Sequence, residues 1–426
     1  EVACGAIHSV ALTENGEVYS WGAGAQGQLG HGKRGKETVP TPIAALRRSH
    51  VLQVACGGAH TLALTSAREV FSWGCGKHGQ LGHGELTDCT TPAQLRVLHG
   101  IDIKILLAGD AHSAALTNFG EVFTWGRGEY GQLGHGDVEG RRTPFPIKEM
   151  QSAQNSVCYL SSGGDHMVAI TYSGDVYAWG RNLFGQLGVG SEADHYQPTR
   201  LADFDDVTLF SVHCGFHHTL AITEDRTVFT WGRGDLGALG HTYNKSISRP
   251  RRVTALDGQR IVLAACGLNH TLVVNEKGQV ITWGRGSYGQ LGHGSGKPRR
   301  PQHSEHVVPI WALTPERQRE RRKKERARPA SCPPDLDGAP SSYSQMSRVG
   351  SFNPRTAPPN AFLEGLSPTR SSPGTRPSSR LSASEEMSLT RELVQRDLDQ
   401  RDKEAAAATR PRSRGSTRLE PLSATR

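Results

Sequence analysis

The sequence predicts an all-β fold, a β-propeller built from four-stranded blades of about 52 residues each. The first observation behind this prediction is a Trp-Gly pair that recurs at intervals of 52, 52, 54, 52 and 52 residues. The second is a His that keeps the same step, and the third is a glycine-rich GQLGHG-like segment after each Trp. The recurring Trp residues are Trp21, Trp73, Trp125, Trp179, Trp231 and Trp283.

Hydrophobic residues within one repeat form short runs separated by Gly or polar turns. In the second copy these runs cover residues 54–56, 61–64, 70–73 and, more variably, 91–97. Runs of this length between turn residues are typical of strands, and four strands with their turns fit one repeat. A single sheet leaves a hydrophobic face exposed, so neighbouring units are expected to pack together.

Composition separates the repeats from a tail. Residues 314–426 carry 22 Lys and Arg against 14 Asp and Glu, whereas residues 1–313 carry 27 of each. The net charge of +8 therefore lies entirely in the tail. If the basic charge indicates a nucleic-acid partner, that partner is expected to bind the tail and not the repeats. A hydrophobic fraction of 36% argues against a helical enzyme with a large core, and no apolar run is long enough for a membrane span.

The repeat pattern, ACGGxHTxALT followed by WG and GQLGHG, resembles that of the regulator of chromosome condensation repeat family over residues 1–313. The resemblance implies a seven-bladed propeller, but the sequence shows six copies. The first copy begins within its first strand, and the pattern ends after Gly294, with 306–313 as the predicted last outer strand. We expect either that an upstream segment supplies a seventh unit or that the ring closes differently.

The repeated His and Cys residues favour a structural role. One His per blade places neighbours too far apart to share a metal ion, so we predict buried His side chains that bond backbone between strands. Cys4, Cys56, Cys214 and Cys266 share a column with Ala108 and Ser162, which indicates packing of small side chains. The His column contains His8, His60, His112, His166, His218 and His270.

No catalytic, cofactor or metal site is predicted. Five copies match GxGxxG, for example residues 126–131, but a turn-like segment follows instead of the helix that a dinucleotide site needs. We interpret these glycines as turn formers with positive φ. The eight Cys residues include no CxxC pair, and reduced thiols favour a cytoplasmic or nuclear protein.

A basic and aromatic set recurs in four consecutive repeats, after the Trp. Arg stands two residues after Trp, and an aromatic or Leu stands three residues further on. One interpretation is that this set forms a partner-binding arc, because Arg and Tyr are enriched in interaction hot spots. The other is that these side chains pack between neighbouring blades. The members of the set are Arg127, Tyr130, Arg181, Phe184, Arg233, Leu236, Arg285 and Tyr288.

The resemblance also implies candidate functions. The founding member of the family is an exchange factor for the small GTPase Ran that docks on chromatin, and it uses a wedge inserted outside the regular repeat. The longest interval here exceeds the others by two residues, which leaves no room for a wedge within the six copies, whereas a seventh unit upstream would have room for one. A light-sensing relative uses Trp just before the repeat His, and none of the six matching pairs contains Trp. We therefore predict a non-catalytic protein-interaction scaffold, with a small-GTPase exchange factor and a chromatin adaptor as alternatives.

The tail, residues 314–426, is predicted to be disordered because its Pro, Ser and Arg-rich composition cannot bury enough apolar surface. Short helices are predicted at 315–328 and 384–408. Ser367 and Ser372 precede Pro and are candidate phosphorylation sites. A basic cluster is either a nuclear-import or phosphate-binding patch or a solvated spacer, and it consists of Arg321, Arg322, Lys323 and Lys324.

Overall fold

A computed structural model describes residues 1–293 and the backbone of a final strand, His303–Pro309. Several sequence predictions lie outside these residues, namely the disordered tail with its helices at 315–328 and 384–408, the basic cluster Arg321, Arg322, Lys323 and Lys324, and the phosphorylation candidates Ser367 and Ser372. In the part that is described, no helix has the length and apolar character needed to cross a membrane.

The described strands form six antiparallel sheets of four strands, and in each sheet the spatial order follows the chain order. Blade 1 contains β1 (Val2–Cys4), β2 (His8–Leu12), β3 (Val18–Gly22) and β4 (Glu37–Pro42). Blade 2 contains β5 (Val51–Cys56), β6 (His60–Thr65), β7 (Val70–Gly74) and β8 (Cys89–Gln94). Blade 3 contains β9 (Ile103–Ala108), β10 (His112–Thr117), β11 (Val122–Gly126) and β12 (Arg141–Pro146).

The second half of the propeller repeats this order. Blade 4 contains β13 (Val157–Ser162), β14 (His166–Thr171), β15 (Val176–Gly180) and β16 (His195–Arg200). Blade 5 contains β17 (Leu209–Cys214), β18 (His218–Thr223), β19 (Val228–Gly232) and β20 (Ile247–Arg252). Blade 6 contains β21 (Ile261–Cys266), β22 (His270–Asn275), β23 (Val280–Arg285) and β24 (His303–Pro309). The predicted all-β propeller of four-stranded blades is therefore confirmed.

Short 3-10 helices connect consecutive blades and explain the irregular repeat interval. The linker between blades 3 and 4 contains a second 3-10 turn, Ala153–Asn155, which the other linkers lack. The two extra residues of the 54-residue interval are thus absorbed in this linker. The other 3-10 helices are Ala44–Leu46, Arg96–Leu98, Lys148–Met150, Ala202–Phe204 and Thr254–Leu256.

Five hydrophobic clusters join consecutive blades. Between blades 2 and 3, for example, Leu62 and Leu64 pack with Leu106 and with Trp125, all of them buried. None of the five clusters combines residues of blade 6 with residues of blade 1. Accordingly Trp21 is only half-buried, whereas the other five repeat Trp side chains are fully buried.

A hydrogen-bond relay accompanies each of these interfaces. Trp73 Nε1 donates to the carbonyl of Gln28 in the preceding blade at 2.9 Å, and the Thr61 hydroxyl donates to the same carbonyl at 3.1 Å. His8 Nε2 lies 3.0 Å from Thr61 Oγ1. Because that hydroxyl has only one hydrogen, it must accept from His8, which is therefore the neutral tautomer protonated on Nε2. The buried Nδ1 of His8 has no described partner.

The relay corrects one prediction about the His column. These side chains are buried as predicted, but His8, His60, His166 and His218 bond a hydroxyl group of the next blade and not backbone. Blade 4 has Met167 at the hydroxyl position, and His112 instead contacts Ser162 Oγ at 3.0 Å. Among the residues described, His270 has no such partner and is only half-buried.

Glycine and Pro occupy positions that the repeat requires. Gly30 has a φ of +76°, and a Cβ there would lie 2.9 Å from Trp73 Nε1 of the next blade. Of the glycines predicted to be turn formers, Gly126 and Gly131 have a positive φ of +107° and +72°, whereas Gly128 does not and is instead required because a Cβ there would clash with the Glu139 carbonyl. Outer strands carry Pro in their fourth position, which removes a free N–H from an exposed sheet edge and disfavours edge-to-edge pairing. These residues are Pro40, Pro92, Pro144, Pro198 and Pro250.

The Cys column lies on the innermost strands. Cys56, Cys214 and Cys266 are half-buried, while Cys4 at the exposed start of blade 1 is accessible. Burial raises the pKa of the Cys56, Cys214 and Cys266 thiols, which disfavours the reactive thiolate. The seven Cys residues within the described range are free thiols, in keeping with a packing role.

Candidate functional site

Two sets of segments form one end of the propeller, which we call the turn face. The first set is the turn ring, the turns between the first and second strand of each blade. Backbone hydrogen bonds connect these turns from blade to blade, as from Asp110 N to Gly164 O at 3.0 Å and from Phe216 N to Gly267 O at 3.2 Å. The turn ring comprises residues 5–7, 57–59, 109–111, 163–165, 215–217 and 267–269.

The second set follows the third strand of each blade and contains all eight predicted partner residues. We call residues 127–130, 181–184, 233–236 and 285–288 the arginine loops. The first residue of each loop is tied to the turn ring, as in the bond from Arg127 N to Ala111 O at 3.0 Å and from Arg233 N to His217 O at 2.9 Å. The repeat therefore fixes both sets at the same end of the molecule.

A buried Gln holds the end of most arginine loops in place. Gln132 Oε1 accepts from Tyr130 N at 2.9 Å, and Gln186 Oε1 accepts from Phe184 N at 3.0 Å. Between them Gly131 adopts a φ of +72°. The GQLG segment thus sets the direction in which each aromatic residue leaves the backbone.

Three of the four arginines are ion-paired on the turn face itself. Arg127 Nη2 lies 2.6 Å from Glu129 Oε2, and Arg233 Nε lies 2.7 Å from Asp235 Oδ1 within the same loops. Arg181 Nη1 lies 3.4 Å from Asp165 Oδ2 in the turn ring. Because these side chains are 22–29% exposed, their charges remain partly accessible.

Aromatic rings stack with these arginines both within and between blades. The Arg181 guanidinium lies 4.3 Å from the ring centroid of Tyr130 in the preceding blade, and Arg233 lies 4.8 Å from that of Phe184. Arg127 and Arg285 instead face the aromatic rings of their own loops, with Arg127 at 5.1 Å from Tyr130. Two of the four arginines therefore connect blades, as the packing alternative expects, and the partner-binding alternative stays a prediction.

The remaining predicted residues differ in exposure. Leu236 is half-buried, and no aromatic ring stands at its position in blade 5. Tyr288 is 83% exposed and is the most exposed large hydrophobic residue described. The turn face thus changes from a compact arginine and aromatic ladder in blades 3–5 to an open aromatic group in blade 6.

Several turn-ring residues that shape the turn face are not among the residues predicted from the sequence. Asp165 is 3% exposed, and burial raises its pKa although Arg127 and Arg181 oppose this. His217 packs against Phe184 with ring centroids 5.1 Å apart, and burial with nearby Arg233 and Arg181 lowers its pKa to about 4. These positions vary between copies, so the repeat itself provides no signal for them.

The arrangement is suited to recognition of a polypeptide. No three His, Cys, Asp or Glu side chains within the described residues are grouped to hold a metal ion. The carboxylates in the arginine loops are engaged with arginine, and the aromatic groups offer area with few rotatable bonds. Arg and Tyr with partly exposed side chains are the residue types enriched in protein interfaces.

The repeat and the fold match known proteins. A family model described as RCC1-like domain matches residues 1–314. The ultraviolet-B receptor UVR8 of Arabidopsis thaliana is 40% identical over 299 residues, which cover 70% of this chain and 68% of the receptor. The E3 ubiquitin-protein ligase HERC2 of Homo sapiens is 36% identical over 287 residues, which cover 67% of this chain but 6% of HERC2.

A solved structure agrees with this assignment. The crystal structure of Prp20p from Saccharomyces cerevisiae, described together with its binding properties to Gsp1p and histones, has a TM-score of 0.63 and 27% sequence identity. The match covers 73% of this chain and 76% of Prp20p. Since the family model spans more than half of the sequence and the six blades carry its repeat in register, the chain belongs to the RCC1-like domain family.

Proposed function

We propose that the propeller is a non-catalytic protein-binding module whose contact surface is the turn face. The observation that carries this proposal is the ladder of partly exposed Arg and aromatic side chains in consecutive blades, ending at the exposed Tyr288. A related fold binds proteins, since a yeast RCC1, also named Prp20, has been crystallised with Kap60, at 27% identity and a TM-score of 0.64 to this chain.

Charge reversal at Arg233, with a matched control in the same blade, tests this proposal. The full chain and its Arg233→Glu variant are compared for capture of cellular proteins, with amounts normalised to folded protein. Arg249→Glu is the control, because Arg249 lies on outer strand β20, pairs with Asp203 and is 64% exposed. The proposal expects at least a tenfold loss for Arg233→Glu and none for Arg249→Glu. Equal binding by both variants would refute it.

A small-GTPase regulator is the second candidate function. It is supported by the likeness to Prp20p, whose binding to Gsp1p is described with its structure. The two extra residues of the longest repeat interval form a 3-10 turn in a linker, so this interval contributes no inserted wedge. We therefore place exchange activity second to protein binding, and a nucleotide-release assay decides between the two.

We propose that the basic tail directs the same protein to the nucleus. If Arg321, Arg322, Lys323 and Lys324 direct nuclear import, replacing all four with Ala should leave a fluorescent fusion of the chain in the cytoplasm. Unchanged nuclear accumulation would exclude this role. A chromatin adaptor function would in addition require binding to nucleic acid or histones that falls steeply with salt concentration.

A further inference from the structure

Among the residues that the structure describes, one carboxylate and one arginine of the turn face have no ion-pair partner. Its four carboxylates are Asp110, Glu129, Asp165 and Asp235, and the last three each form an ion pair with arginine. Among the described residues, Asp110 forms no ion pair and its carboxylate accepts no hydrogen bond. Arg285 is the arginine of the turn face without an ion pair among the described residues, because the three paired carboxylates bond Arg127, Arg181 and Arg233.

Asp110 occupies the turn ring in blade 3, next to the axis of the propeller. It is half-buried and packs over Gly58 of blade 2, where any Cβ would meet the Asp110 carboxylate. Burial raises the pKa of Asp110 more than Arg127 and His78 lower it, and Asp110 in turn acts on the nearby Asp165 carboxylate. Arg127 and His78 offset the desolvation of this carboxylate only in part, and a cation from a partner would complete the compensation.

Arg285 is the counterpart in blade 6. Its Nε donates to Ser287 Oγ at 3.0 Å, and its guanidinium lies 5.3 Å from the ring centroid of Tyr288. Ser287 stands where blades 3 and 5 have Glu129 and Asp235, so the loop of blade 6 itself supplies no carboxylate to this arginine. A carboxylate from a partner could pair with Arg285 without first breaking an internal ion pair.

Exposed apolar side chains lie on the turn face in blade 4 and in blade 6, the blade of Arg285. Leu183 in blade 4 is 52% exposed, Leu268 in blade 6 is 54% exposed, and Tyr288 is 83% exposed. Lys77, in the corresponding loop of blade 2, is an exposed surface cation and is expected to contribute little. With its arginines otherwise balanced by carboxylates, the turn face does not present the strongly positive field that would select a purely acidic partner.

We propose that the turn face binds an extended polypeptide segment of a partner protein that has a Lys or Arg at one end, an Asp or Glu at the other, and apolar side chains between them. The basic residue of the segment pairs with Asp110, its acidic residue pairs with Arg285, and its apolar residues cover Leu183 and Leu268. This inference rests on the proposed function and specifies the chemistry of the partner.

Selection from a peptide library displayed on phage tests the inference on the full chain. The wild type should enrich peptides that combine both charges around apolar residues. Asp110→Asn should abolish the preference for Lys or Arg, and Arg285→Gln should abolish the preference for Asp or Glu. Each variant should weaken binding of a synthetic wild-type-selected peptide about tenfold. The controls, Asp203→Asn and Arg249→Gln, each remove one charge of an exposed ion pair outside the turn face and should leave both preferences intact.

The outcomes separate this inference from the proposed function. Peptides of a single charge sign, or preferences that change equally in the controls, would overturn the inference. If Arg233→Glu abolished peptide binding while Asp110→Asn and Arg285→Gln had no effect, the turn face would still be a binding surface but its partner would have other chemistry. Wild-type selection of peptides whose binding no turn-face variant alters would overturn both. Thermal melts of all variants establish that each is folded.

Discussion

Trp73 and Gln28 are joined across the first blade interface by a hydrogen bond of 2.9 Å from the indole Nε1 to the backbone carbonyl. The same bond recurs in blade after blade, with lengths of 2.8–3.2 Å. In blade 5 the acceptor is Ala238 and not Gln, which is possible because only the backbone carbonyl is used. The repeat thus stabilises the propeller through interfaces that share one geometry.

The blade in which a repeat Trp lies should determine how much stability its substitution removes. Trp125→Ala is expected to lower the free energy of unfolding by about 3–5 kcal/mol, because the ring is fully buried and its N–H is bonded to Gln80. Trp21→Ala should cost clearly less, since Trp21 is half-buried and no described blade precedes it. Chemical denaturation of both variants measures the difference, and equal losses would show that Trp21 is packed as tightly as Trp125.

Removing a hydroxyl group of the relay should lower the free energy of unfolding more than removing a surface hydroxyl. Ser113→Ala removes the acceptor of His60 Nε2 and leaves a buried N–H unsatisfied, which should cost about 1–3 kcal/mol. Ser162→Ala should cost a similar amount because His112 depends on it, although Ser162 stands at a different repeat position. Exposed Ser66 provides a control with little effect. A neutral Ser162→Ala substitution would contradict the assignment of its partner.

Acid should destabilise the propeller steeply. Burial lowers the pKa of five relay His residues from the usual value to between about 3 and about 4, so the folded state favours their neutral form. This contribution to stability is present above the unfolded pKa of about 6.5 and is lost as pH falls toward the folded values. The residues are His8, His60, His112, His166 and His218.

Near pH 5 these five residues should together make unfolding take up about five protons, equivalent to about 6 kcal/mol of stability per pH unit. Denaturant titrations between pH 7 and pH 4 measure this slope. His60→Gln should reduce the proton uptake by about one proton, because it removes one titratable imidazole. The Gln amide can still donate to the Ser113 hydroxyl, so the relay bond is kept. A stability that stays flat between pH 7 and pH 5 would contradict the burial of the neutral side chains.

The spacing of the blades argues against strong exchange activity. We expect the chain to accelerate release of a fluorescent nucleotide from a Ran-type GTPase no more than background, because the two extra residues in the longest interval form the Ala153–Asn155 turn. Release provoked by EDTA serves as the positive control for the assay. A large acceleration that saturates with protein concentration would reverse the order of the two candidate functions.

Periodicity predicted what recurs in every copy. The strands and the burial of the Trp and His columns follow from the 52-residue step, and the structure confirms them except at Trp21 and His270, which are half-buried. The bonding partner of each His did not follow, because it depends on how one blade is set against the next. The Ser162 contact shows this clearly, since blade 4 replaces the hydroxyl position with Met167.

The candidate site likewise has residues that the repeat predicts and residues that it does not. Arg127, Arg181 and Arg233 recur at one repeat position, and the sequence placed them on one face. Their carboxylate partners come from different positions, Asp165 from the turn ring and Asp235 from the loop. Features that occur in one blade leave no periodic signal, so the balance of charge on the turn face could be read only from the folded chain.

Amide hydrogen exchange of the full chain, alone and in complex with a protein partner captured by it, tests the central claim most directly. If the turn face is the contact surface, binding should slow exchange in the arginine loops, residues 127–130, 181–184, 233–236 and 285–288, and leave the linker helices at the blade junctions unchanged. Slowed exchange confined to those linkers or to the outer strands, with the arginine loops unaffected, would contradict the claim.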